Sequence, residues 1–330
     1  ENAFTTADST TYFATLASDR IDVEIELEAD RMQNLKFAEE QFFPELEVVM
    51  EERRTRTDDK PIPELFEQMR ATAFTAHPYQ WPVIGWMNDL RQLSREDALA
   101  YYRGYYAPAN AVAIAVGDFD SDALLAKIEA AFGAIPAGRA APVVRAIEPT
   151  QAGERRTTLR RPAELPFVAL AYHVPNLDSL DSYALDVLSD LLAGGKSSRL
   201  HQDLVYRRRI ARSTGASYDM TSIDPGLFYI YGQPMPGQQV ETIERALLDH
   251  LERLRREPVD DSELAKVKAA SEAAFVFAQD SLFYQGMLLG QYEIAGGWRR
   301  FDNYLPGLRA VTPADIQRVA AKYFTAENRT

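Results

Sequence analysis

Apolar positions along the chain recur in short runs that switch between a period near two and a period near 3.6. Residues 10–17 have the Thr and aromatic content of a strand. From Ser18 the pattern changes. Ser18 is suited to an N-cap, and residues 18–31 carry Ile21, Val23, Ile25 and Leu27, predicting a helix. Pro44 is suited to a first helical position and opens a charged helix to about residue 57, closed by Asp58-Asp59-Lys60-Pro61. Residues 63–76 predict another helix, and 77–86 (HPYQWPVIGW) a loop. Ser94, with Asp97 three residues on, predicts an acidic capping box for a helix to about Tyr105. The continuous run NAVAIAV at 110–116 predicts a short buried strand, turned by Gly117-Asp118 into a helix over 121–132. Residues 135–153 are rich in Pro, Ala and Gly without periodicity, as a linker is. Beyond it the pattern predicts strands at 157–161, 167–173, 213–218 and 226–231. Helices are expected at 179–192, 197–207, 238–255, 260–279 and 281–294.

One passage occurs twice. RQLSREDALAYYRGYYAPAN (91–110) matches RAVTPADIQRVAAKYFTAEN (309–328), aligning Arg91 with Arg309, Asp97 with Asp315, Tyr105 with Tyr323 and Asn110 with Asn328. ADSTTYFATL likewise matches IDPGLFYIYG, aligning Asp8 with Asp224. Copies this long indicate a duplicated domain and not a solenoid. Grouped helices beside mixed strands favour an α+β layered architecture. The expected organisation is two homologous α+β domains, 1–135 and 154–330, joined by a linker at 136–153. By typical domain size the first copy would begin about 60 residues before Glu1, so its N-terminal part is expected to be missing. The final strand of the second copy, the counterpart of 110–116, is expected to lie past Thr330.

Composition narrows the chemistry. An apolar share of 46% and a charged share of 26% are those of a globular protein. With no Cys, thiolate catalysis and disulfides are excluded, and a metal would need His, Asp or Glu. A Cys-free chain suits an oxidising compartment, which favours a bacterial periplasm over the cytoplasm. The net charge of −13 argues against nucleic acid, whose phosphates need clustered Lys and Arg. No apolar run is long enough for a membrane span.

The four histidines, His77, His173, His201 and His250, show no metal-ligand spacing, and His77 fits a loop-positioning role. Gly195-Lys196-Ser197 lacks the earlier Gly of a phosphate loop, where Asp190 stands, and follows a helix instead of a strand. PELEVVMEERRTRTDDKP is the sharpest local signal. Glu45 and Glu52 are seven apart and so share a helix line about 10 Å long. Val48 and Val49 lie near that line, so the acids would be partly desolvated if it faced inward. The plainer alternative is a solvated helix with Glu52 and Arg56 as an i, i+4 ion pair.

NAFTTADSTTYF, ELEVVMEERRTR, HPYQWPVIGW and YYAPANAVAIAVGDFD, in that order, resemble the pitrilysin/insulinase family of inverted-motif zinc peptidases. The likeness is greatest to its smaller bacterial and mitochondrial-processing-type members. The resemblance implies two homologous α+β domains and a zinc-dependent endopeptidase that cleaves peptides or small unfolded proteins in a chamber. It implies Glu52 as a zinc ligand and Glu45 as a supporting acid, with the H-x-x-E-H ligands upstream of Glu1. Asn2, Ala3 and Phe4 match an edge strand that pairs with substrate. Relatives carry an Arg and a Tyr seven residues apart where this chain has Val205 and Arg212. Arg212 could still donate to substrate, and the departure implies a zinc-bearing subunit of a hetero- or homodimer whose partner supplies the Arg/Tyr half. The alternative is a non-catalytic structural or substrate-guiding subunit of the same family.

Overall fold

The computed structural model describes residues 1–330. Two compact units emerge. The first comprises Glu1–Asp59, Pro82–Ala146 and Ser281–Gly290, the second Lys60–Trp81, Ile147–Asp280 and Gln291–Thr330. These bounds redraw the sequence divisions, because residues 60–81 pack within the second unit.

In the first unit, β1 (Asn2–Thr5) and β2 (Thr10–Phe13) form an antiparallel hairpin, with Asn2 opposite Phe13 and Thr5 opposite Thr10. Five helices follow: α1 (Ile21–Asn34), α2 (Glu39–Arg53), α4 (Met87–Leu90), α5 (Arg95–Tyr105) and α6 (Ser121–Phe132). The first turns of α10 (Leu282–Ile294) complete the unit. Its buried apolar side chains are few and dispersed: Ala29, Met50, Leu90, Tyr102, Ala107, Leu124, Ile135 and Leu288.

Two expectations fail here. Pro44 lies inside α2 and does not open it. The helix begins at Glu39, so the ring removes one ladder hydrogen bond from the second turn. Residues 111–116 form no strand. A strand needs a neighbour for its N–H and C=O groups, and these residues have no ladder, which leaves Val112 54% and Ile114 41% exposed. Their side chains lean on α10, where a Cβ at Gly290 would stand 3.2 Å from Ile114 Cδ1.

The second unit is built on a three-stranded antiparallel sheet in the order β3 (Val168–Val174), β5 (Gly226–Pro234), β4 (Ala211–Ser217). Alternation along β3 and β5 sends side chains to both faces. Leu170, Tyr172, Val174, Phe228 and Ile230 enter the larger core, with residues of α7 (Asp181–Ala193), α8 (Val240–Arg256) and α12 (Pro313–Tyr323). Ala171 and Leu227 face the other way, against Met69, Ala73 and Phe74 at the end of α3 (Pro61–Ala73). That second layer is why residues 60–81 belong here. On α8 the buried positions Ile243, Ala246, Leu247, His250, Leu251 and Leu254 follow the helical period. The remaining helices are α9 (Asp261–Ala278) and α11 (Tyr304–Ala310).

The strand expected at 157–161 is not formed. Ion pairs hold the segment instead, Arg161 Nε donating to Glu64 Oε2 at 2.7 Å and Arg156 pairing with Glu244. The duplication is visible in atomic detail. Ser94 with Asp97 and Thr312 with Asp315 both complete capping boxes. Asn110 Nδ2 donates to Tyr105 O at 3.0 Å, and Asn328 Nδ2 to Tyr323 O at 2.8 Å. Arg329 and Thr330 pair antiparallel with β3, Ala171 and Thr330 exchanging both backbone bonds at 2.9 Å.

Candidate active-site residues

Glu45 and Glu52 both sit on α2, whose buried side is fixed by Met50 and Arg53. Arg53 Nη1 donates to Gly85 O at 2.7 Å, Nη2 lies 3.1 Å from Asp58 Oδ1, and the guanidinium sits 5.6 Å from the Trp86 ring centroid. At about 100° per residue, Glu45 and Glu52 lie within about 20° of one another, roughly a third of a turn from the middle of that anchored side. Glu45 is exposed and Glu52 half-buried, and Val48, between them, is 57% exposed. The Glu45–Val48 part of this line is therefore solvated, and Glu52 is ion-paired with Arg56.

Sequence reasoning missed the backbone directly after Glu52. Over Arg54–Asp58 the helix widens, and Asp59 N–H bonds to Arg54 O at 2.9 Å, five residues back. Thr55 Oγ1 bonds to the carbonyls of Glu51 and Glu52 at 3.0 and 3.1 Å. Such wide turns recur at functional sites. The composition RTRTD carries no visible signal for one.

On β1, the bond from Thr6 N–H to Ser9 O, 2.8 Å, makes Thr6 and Ser9 a hydrogen-bonded pair. Alternation along the register then turns the polar groups of Asn2 and Phe4 toward β2, and those of Ala3 and Thr5 toward the free edge. Ala3 N–H accordingly meets the Asn2 Oδ1 acceptor at 2.8 Å. Phe4 contributes its ring, 6.2 Å from that of Phe13, which lies 4.8 Å from Phe283. The hairpin is held at its flank by Arg31, which pairs with Glu1 and stacks 4.7 Å from the Tyr12 ring centroid.

In the second unit, Arg212 is exposed on edge strand β4, at an irregularity where the register shifts between Ala211 and Ser213. Bulges of this kind re-aim a side chain. Val205 is half-buried against the larger core and has no polar group to offer.

The HPYQ loop carries its own polar network. His77 is buried, with Nε2 3.1 Å from Asp224 Oδ2 and Nδ1 accepting Tyr79 N–H at 3.2 Å, which assigns the ring proton to Nε2. Glu148 closes the loop from the linker. Its carboxylate receives the N–H groups of Thr75, Ala76 and His77 at 2.8–3.0 Å, and the Thr75 hydroxyl at 2.8 Å. Burial pushes the Glu148 carboxyl up, but those donors outweigh it and hold the pKa at about 2. His173 Nε2 bonds to Ala73 O at 3.0 Å, and His250 Nε2 to Asp203 at 3.0 Å. These three imidazoles are committed inside the second unit.

A catalytic zinc needs three protein ligands and an open position. Within residues 1–330 no three His, Asp or Glu side chains converge to hold a metal. All four histidines lie in the second unit, so Glu52 has no imidazole beside it on the first. The residues described here do not by themselves fit a zinc centre.

The duplicated α+β units, the edge hairpin and the acidic helix define a peptidase-type architecture. The chain belongs to the insulinase (M16) peptidase family. Residues 1–85 match the profile described as insulinase (peptidase family M16), and residues 92–271 match that described as the peptidase M16 inactive domain. The zinc protease PqqE of Helicobacter pylori is 33% identical over 326 residues, 98% of this chain and 73% of the relative. An uncharacterized zinc protease of Mycobacterium tuberculosis is 28% identical over 97% of this chain and 73% of its own length. Among solved structures, a protease from Helicobacter pylori superposes with a TM-score of 0.91 at 31% identity, covering 96% of this chain and 77% of that one. A putative M16-like peptidase from Alicyclobacillus acidocaldarius shares the fold, with a TM-score of 0.79 at 17% identity over 94% of this chain and 74% of its own. No helix is long and apolar enough to cross a membrane.

Proposed function

We propose that this protein is the zinc-bearing subunit of a peptidase that hydrolyses peptides or small unfolded proteins within a closed chamber. The observation that carries the reading is the 33% identity to a zinc protease, running through 98% of the chain and so through α2 and the edge hairpin. In this reading Glu52 is the one zinc ligand among residues 1–330, Glu45 is the acid that supports it, and the imidazole ligands come from outside these residues. When bound, the metal would polarise a scissile carbonyl and activate water.

The chain's own share of the work is binding and orientation. The free edge of β1 offers the N–H and C=O groups of Ala3 and Thr5 to an extended peptide, which would displace the Asn2 side chain from Ala3 N–H. Arg212, aimed outward by its bulge, offers donors to a substrate carbonyl or carboxylate. With Val205 at the position of the second donor, a related subunit in a hetero- or homodimer supplies the Arg/Tyr half. The absence of Cys favours the bacterial periplasm over the cytoplasm.

A second reading, a non-catalytic structural or substrate-guiding subunit, is favoured by one observation. The metal-holding set is not assembled within residues 1–330. Cleavage of a quenched peptide by the purified protein, carried with the upstream residues proposed to supply the imidazoles and assayed with its partner subunit, with and without chelator, separates the two. Chelator-sensitive hydrolysis supports the peptidase, and metal-independent hydrolysis or none refutes it.

A further inference from the structure

On the turn that also carries Val205, the second unit contains a cavity of about 210 Å³ lined by ionisable side chains: Arg199, Asp203, Arg207, His250, Arg253 and Glu263. They come from Arg199 just before the wide helical turn His201–Arg207, from that turn, from α8 and from α9. Both acids are committed. Glu263 takes a fork from Arg199, with Nε at 2.8 Å and Nη2 at 2.6 Å. Asp203 accepts from buried His250 at 3.0 Å and lies 3.5 Å from Arg208 Nη1. Two cations are not so used. Arg207 forms no ion pair, and Arg253 reaches only Glu257, its Nε 3.7 Å from the carboxylate.

The turn itself brings these groups together. Arg208 N–H bonds to Asp203 O at 2.8 Å, five residues back, so Asp203 and Arg207 stand over one widened turn and both reach the cavity. The result is a polar hollow with an excess of guanidinium in a chain whose net charge is −13. Nothing in peptide binding at β1 or in the α2 acids requires it. Two separate guanidiniums, one without an ion pair and one held only at Nε by Glu257, suit a multivalent oxyanion better than a single carboxylate, which one fork would satisfy. The volume is several times the roughly 30 Å³ that one water occupies in the liquid, enough for a tetrahedral anion and its remaining waters.

We propose that this cavity binds a phosphate-class dianion, free or as a small monoester, through Arg207 and Arg253, with Arg199 and His250 holding the two acids out of its way. Thermal denaturation of the purified protein is measured against inorganic phosphate and against phosphoserine, with ionic strength matched by sodium chloride. A saturable rise in melting temperature that chloride does not reproduce is expected. Arg207→Ala/Arg253→Ala should weaken half-saturation at least about tenfold, the equivalent of roughly 1.4 kcal/mol, with an unchanged far-UV spectrum. Arg207→Gln alone, at an exposed residue without an ion pair, gives a milder weakening should the double variant fold poorly. Tighter phosphoserine binding identifies a monoester, and equal affinity the free anion. No saturable response in the wild-type protein, or variants that respond as it does, would overturn the proposal.

Discussion

Replacing Glu148 with Gln should destabilise the second unit and flatten its response to acid. The Glu148 side chain is 12% exposed and takes three backbone N–H groups and one hydroxyl. These donors overcome the burial that opposes ionisation, and the pKa falls from 4.5 to about 2. A depressed carboxyl adds stability above its unfolded pKa and loses it as pH falls through the folded value. At about 1.4 kcal/mol per unit, the contribution is roughly 3 kcal/mol at pH 7 and about 1 kcal/mol near pH 3. Gln keeps one acceptor oxygen, so the loss at pH 7 should be about 2–3 kcal/mol. Urea denaturation of both proteins at pH 7 and pH 3, followed by tryptophan fluorescence, reads this directly. The wild-type advantage should be large at neutral pH and mostly gone at pH 3. Equal midpoints at pH 7, or a gap that does not narrow in acid, would refute the assignment of Glu148 as the anchor of the HPYQ loop.

Three further outcomes are expected. Burial raises the Asp186 carboxyl to about 6 against the lowering effect of the Tyr304 hydroxyl, 2.9 Å away. Its folded pKa exceeds the unfolded one, so stability should decline as pH rises from about 4 through 6. Asp186→Asn should remove that decline in melts at pH 5 and pH 8, and an unchanged slope would refute the assignment. Ala3→Pro deletes an edge N–H without touching the β1–β2 ladder, so KM for an extended peptide should rise several-fold with the fold intact, while Phe4→Pro breaks the hairpin. Equal KM in Ala3→Pro would exclude pairing there. Val205→Ala should cost about 1 kcal/mol of stability through lost core packing and leave cleavage unchanged, and a large activity loss would give that position a direct role.

Local signals were the most legible. The Ser94–Asp97 capping box, the strands around β3, β4 and β5 and the long helices α8, α9 and α10 stand close to where periodicity and capping residues put them. The duplication, read from aligned residues alone, reappears as matching bonds from Asn110 and Asn328. What failed depended on neighbours distant in sequence. The NAVAIAV run has strand composition, but a strand exists only where another pairs with it. Residues 157–161 form no ladder, and Arg161 and the neighbouring Arg156 pair with Glu64 and Glu244 instead. The packing of α3 on the far face of the β3–β5 sheet was likewise invisible to a linear division into domains.

For the site, the pairing of Glu52 with Arg56 was readable from i, i+4 spacing, and the structure has it. The widened turn after Glu52 and the carboxylate cradle around Glu148 were not. Both are made by backbone groups, which every sequence carries alike. The edge strand was expected from the resemblance alone, and its facing required the Thr6–Ser9 bond, which turns Ala3 outward and Phe4 inward.

The most direct test of the whole account is the zinc content of the purified protein, carried with the residues upstream of Glu1 that are proposed to supply the imidazoles, and of its Glu52→Gln variant, measured by elemental analysis after dialysis against metal-free buffer. Stoichiometric zinc in the wild-type protein and marked loss in the variant, with an unchanged melting profile of the second unit, is the expected result. Equal zinc in the two proteins, or none in either, would contradict it.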